Sequence, residues 1–62
     1  MTAEVVGILK QLGIINPPAW LVWALLAAGS VALIVSILSG FGLITVPAWA
    51  AYAILGAKTF SL

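Results

Sequence analysis

Few side chains in the 62 residues could do chemistry: one carboxylate, Glu4, two ammonium groups, Lys10 and Lys58, and one phenol, Tyr52, with no Cys and no His. The missing thiol and imidazole remove disulfides, the usual transition-metal ligands, haem ligation by His and nearly every nucleophile–base pair used in catalysis. A lone carboxylate has no second one with which to share acid and base roles. The chain therefore reads as no enzyme, with no cofactor and no metal. Net charge is +1, too weak to hold nucleic acid. The remaining chemistry is physical. Lys10 and Lys58 suit phosphate headgroups, at about 1 kcal/mol for each cation near an anionic membrane surface. The rings of Trp20, Trp23, Trp49 and Tyr52 suit the boundary between water and lipid.

Composition narrows the setting in which these groups act. Hydrophobic residues make up 66% of the chain and charged residues 5%, against about 45–50% and about 25% in soluble domains. Intrinsic disorder needs the opposite balance. A core this small rarely holds a fold without disulfides, metal, cyclisation or oligomerisation, so lipid, self-association or a closed backbone are the options left. Everything from Gln11 to Ala57 is uncharged. As one helix that stretch would run roughly 70 Å, more than twice the hydrocarbon thickness of a bilayer, so it must fold back. The N-terminus does not read as a cleaved signal peptide, because Glu4 precedes the first Lys, and no lipidation motif is present.

The folding-back is written as a repeat. Val5–Ser30 overlies Ile34–Thr59 at an offset of 29, with 11 of 26 paired positions identical, including Gly13/Gly42, Pro18/Pro47 and Trp20/Trp49. Gly, Pro and Trp are not what a bias towards Ala, Leu, Ile and Val supplies, so the match marks two copies of one supersecondary unit. In each copy an apolar segment ends at Gly13 or Gly42, suited to the left-handed position after a helix. A short Ile-rich link follows. Asn16 or Thr45 then reads as an N-cap, with prolines in the first turn of the next helix. Two helical hairpins result, with helices expected at 3–12, 17–28, 31–39 and 46–59. Hydropathy alone would fuse residues 19–38 into one membrane-spanning helix. The repeat favours a break at Gly29-Ser30, although a kink there is the alternative.

These residues carry a family resemblance. Val46-Pro47-Ala48-Trp49, with Ile44-Thr45 before it and Ala50-Ala51-Tyr52-Ala53 after it, resembles the C-terminal half of the weakly charged circular bacteriocins, the subgroup of gassericin A, acidocin B and butyrivibriocin. Lys10-Gln11-Leu12-Gly13-Ile14 followed by Pro18-Ala19-Trp20 is similar to the N-terminal half. The resemblance implies an all-α, compact, saposin-like bundle of four short helices in a single domain, closed by a peptide bond between Leu62 and Met1. It implies a secreted antibacterial peptide that permeabilises the membranes of related Gram-positive bacteria. A cognate immunity protein in the producer and self-association in the membrane would come with that role. A ring beginning at Met1 departs from the family, whose members lose a leader before closure, and the low charge separates this chain from the strongly cationic members.

Closure also suits the repeat. Two offsets of 29 leave four of the 62 residues on the junction side, about one helical turn. A ring would then carry one longer helix through Phe60-Ser61-Leu62-Met1-Thr2-Ala3. On that helix Lys58 and Glu4 would stand eight residues apart, too far for a direct ion pair. Closing a loop of this length would stabilise the fold by several kcal/mol, on the order of 4.

Trp20 and Trp23 are three residues apart, and Trp49 and Tyr52 repeat that spacing. Helical spacing of this kind serves a core as readily as a lipid interface. With so few polar residues available to cover a surface, at least two of the four rings are expected outside, and Phe41, between two glycines, is a further candidate for insertion. Lys10 and Lys58 would form a small cationic patch, or only keep one face wet. Apolar transfer, at about 25 cal/mol per Å², would drive membrane entry as the hairpins open. The rival reading is a small resident membrane protein, holin-like or a two-helix subunit. A rotor-type subunit is disfavoured because its carboxylate must lie within the membrane, whereas Glu4 lies near the N-terminus.

Overall fold

The computed structural model describes residues 2–60 and forms four α-helices: α1 Thr2–Gln11, α2 Ala19–Ala27, α3 Val31–Phe41 and α4 Ala48–Phe60. No strand occurs among the described residues. The Cα radius of gyration is 10.1 Å, close to the roughly 10.6 Å expected of a compact chain of this length. Each helix packs against the next, and α4 returns to pack against α1, so the four close into a bundle. The expected Leu62–Met1 junction lies outside the described residues.

The two sequence copies are two copies in space. Val5, Leu9, Leu21, Val22 and Leu25 are buried in the first copy, and their counterparts Ile34, Leu38, Ala50, Ala51 and Ile54 are buried in the second. The spacing of four within Val5/Leu9 and Ile34/Leu38 puts one stripe of each helix into a shared core. Fully burying a side chain of this size stabilises by about 1.5–3 kcal/mol. Alanine at 50 and 51, where the first copy has Leu21 and Val22, leaves less bulk between α4 and its neighbours, and α1 packs more extensively on α4 than on α2. No polar side chain is buried among the described residues.

Helix ends follow local chemistry. Gly13 and Gly42 take φ values of +90° and +129°, where a side chain would be strained. Around them the same pair of hydrogen bonds closes each helix: Ile14 N to Leu9 O and Gly13 N to Lys10 O after α1, and Leu43 N to Leu38 O and Gly42 N to Ser39 O after α3. This is the Schellman arrangement that satisfies orphan carbonyls. The run 19–38 is broken, as the repeat indicated. Ser30 is the N-cap of α3, its hydroxyl accepting from Leu33 N at 3.2 Å.

Two expectations are corrected. Asn16 does not cap α2: it sits at φ +56°, a left-handed conformation that Asn tolerates, and the N-cap is Pro18, with no side-chain hydrogen bond. α2 and α4 begin at Ala19 and Ala48, two residues later than expected, because a proline drives the residue before it out of the α region. That excludes Pro17 and Val46 from a helix. The longer helix expected to pass from α4 into α1 in a ring runs through residues outside the described ones. α4 has 13 residues against 9 in α2, and the register explains why: where α2 meets Gly29, α4 has Lys58 and continues.

Candidate functional site

Apolar surface left in water is the feature to explain. Trp20, Trp23, Trp49 and Tyr52 are all exposed, at 49–68% of their full area. The periodicity that places them outside is the one that buries Leu21 and Leu25. On α2, residues 20 and 23 share the face opposite the core stripe, and on α4 residues 49 and 52 repeat the arrangement. At least two outward rings were expected, and all four are outside. Phe41 is different. It ends α3 as a helical residue rather than sitting in a turn, is half-buried, and packs against Trp20 with ring centroids 5.9 Å apart at 53°.

Three further large, exposed apolar residues escaped sequence reasoning, one of them Leu33 in the first turn of α3, at 52%. Ile15 is 69% exposed and Ile44 is fully exposed. They are repeat counterparts, each standing two residues after a left-handed glycine. The signal was an unbroken Gly-Ile-Ile or Gly-Leu-Ile link in both copies. The Schellman turn buries the first apolar residue, nearly fully in Ile14 and partly in Leu43, and leaves the second one outward.

The charged residues divide. Lys10 is exposed in the last turn of α1 and borders a shallow cavity of about 120 Å³ with Val6, Ile14, Ile15 and Asn16. Lys58 is half-buried, and its ammonium donates to the carbonyl oxygen of Ala28, the C-cap residue of α2. One cation thus complements the C-termini of α2 and α4, where carbonyls are orphaned and the helix dipole is negative. Glu4 lies in the first turn of α1, the favourable end for an anion. Its carboxyl is held below the ordinary value of 4.5, first by a hydrogen bond with the chain's amino group, then by a backbone hydrogen bond and by the charge of that amino group.

No helix among the described residues is long and apolar enough to cross a membrane. At 13 residues, α4 reaches only about 20 Å at the standard rise. No family model, curated protein or solved structure matches the chain.

Proposed function

We propose that this chain is a secreted antibacterial peptide of the circular-bacteriocin type that enters and permeabilises the cytoplasmic membranes of Gram-positive bacteria. The observation that carries the reading is the pairing of a closed apolar core with exposed aromatic rings at matching positions of both repeats, Trp20 with Trp49 and Trp23 with Tyr52. An indole ring gains by leaving water for the headgroup region while its N–H keeps a hydrogen bond. With net charge +1, apolar transfer supplies the driving force and electrostatics only assists. The bundle hides Leu9, Leu21, Leu25 and Leu38 in water. Lipid offers those side chains an equivalent environment, so the hairpins can separate there at low cost. Pairing of α1 with α4, the counterpart of α2 with α3, supports closure of the backbone between Leu62 and Met1 and leaves the ring without frayed ends.

Dye release from vesicles rich in phosphatidylglycerol tests the reading. The purified chain is expected to release dye at micromolar concentration. Trp20→Ala is expected to weaken partitioning about tenfold, as loss of a large exposed apolar side chain implies, with helicity by circular dichroism retained. Intact vesicles at saturating peptide would overturn the proposal, and unchanged partitioning of Trp20→Ala would remove the aromatic rings from it.

A further inference from the structure

Two contacts fix which end of the bundle is which. Trp20, at the start of α2, packs on Phe41, at the end of α3. Lys58, near the end of α4, bonds to Ala28, at the end of α2. The links 12–18 and 42–47 therefore share one end of the bundle, and residues 28–30 share the other with Lys58. The link end carries Ile15 and Ile44 at its tips, with Trp20 and Trp49 in the first helical turns behind them. Trp23 and Tyr52 follow about 4.5 Å further back. The far end carries Ser30, Gly29, Lys58, Glu4 in the first turn of α1, and the large, exposed apolar side chain of Leu33 in the first turn of α3.

The two tips are not alike. Beside Ile15 stand Lys10 and Asn16, around the shallow cavity already described. The counterparts of those two residues in the second copy are Ser39 and Thr45, so Ile44 has no cation near it in the repeat.

Resting on the membrane reading above, we infer that the molecule docks on an anionic phospholipid bilayer end-on, through the link end, with unequal tips. The Ile44 tip enters the acyl region. The Ile15 tip stays at headgroup depth, where Lys10 and Asn16 meet a lipid phosphate. The partner is argued from charge complementarity: the cation at this end is exposed, while the other cation is engaged on Ala28. The aromatic rings behind the tips form the interfacial belt that limits penetration, in keeping with the roughly 5–10 Å burial of interfacial elements.

The chain has no cysteine, which makes depth measurable. Ile44→Cys, Ile15→Cys and Gly29→Cys variants, all at exposed positions, would each carry a nitrobenzoxadiazole label. Each would be added to phosphatidylglycerol–phosphatidylcholine vesicles containing lipids brominated at defined depths. The label at 44 is expected to be quenched by bromines deep in the acyl chains, the label at 15 only by bromines near the headgroup, and the label at 29 by neither. Lys10→Gln is expected to weaken binding about fivefold on these vesicles and to leave binding to pure phosphatidylcholine unchanged. Equal depths at 15 and 44 would overturn the unequal tips, and deepest quenching at 29 would overturn end-on docking; in both cases the membrane reading would stand. Failure of every label to leave water would overturn inference and membrane reading together.

Discussion

Replacing Lys58 by methionine keeps the aliphatic stem and removes one ammonium group from the carbonyl of Ala28. Ala28 is buried, and its carbonyl belongs to the last turn of α2, where no further helical N–H can reach it. A hydrogen bond to a charged group contributes about 1.5–3 kcal/mol, and an unsatisfied buried acceptor costs about 1–3 kcal/mol. Lys58 is only half-buried, so water takes back part of that, and the lower bound of about 1.5 kcal/mol is the expected loss. For a domain of this size each kcal/mol moves Tm by about 4–8 °C, which places the midpoint of Lys58→Met about 6–12 °C below that of the parent. The assay is helical circular dichroism against temperature and against urea, without lipid. Lys10→Met is the control: its side chain is exposed, and a change within about 0.5 kcal/mol is expected. The two variants should exchange ranks on anionic vesicles, where Lys10→Met loses about fivefold in affinity and Lys58→Met loses none. Lys58→Met as stable as the parent, or Lys10→Met destabilised as much, would refute the assignment of Lys58 to the fold.

The other predictions concern the core, a turn and a titration. Leu25→Ala, at a fully buried position, should cost about 2–5 kcal/mol, enough to unfold much of so small a bundle; urea titration measures it. Gly42→Ala forces a side chain to φ +129° and should destabilise by about 1–2 kcal/mol, whereas Gly7→Ala, within α1 and with nothing within 4 Å of the added carbon, should stabilise slightly. In the linear chain Glu4 should titrate below 4.5. Its folded value is depressed, so the stability it contributes is present above its unfolded pKa and is lost as pH falls through the folded one. In a ring the amino group becomes an amide, so the same titration by NMR should move up towards 4.5, and the mass should fall by one water.

What was legible in the sequence was what the backbone demands locally and what the repeat cross-checks. Gly13 and Gly42 announced two helix ends because their φ values of +90° and +129° lie where a side chain is strained. The break at Gly29-Ser30 was legible only through the repeat, since hydropathy treats residues 19–38 as one apolar run. Four outward rings follow from the same helical period that buries Leu21 and Leu25, but period alone does not say which face is the core. The proline boundaries were misplaced because the stronger constraint falls on Pro17 and Val46, the residues before each helix-leading proline. Lys58 was not legible as a cap, because its acceptor lies 30 residues away and only the packed bundle brings the two together. Ile15 and Ile44 were hidden for a related reason: a hydrophobic pair in a link gives no sign of which member the turn buries.

The central claim is that this bundle acts on the membrane of a living Gram-positive cell, and the most direct test is membrane potential. A potential-sensitive dye in such cells, followed after addition of the purified chain, should report depolarisation within minutes at the concentration that stops growth. Loss of viability with the potential intact, or no effect on either, would contradict the account.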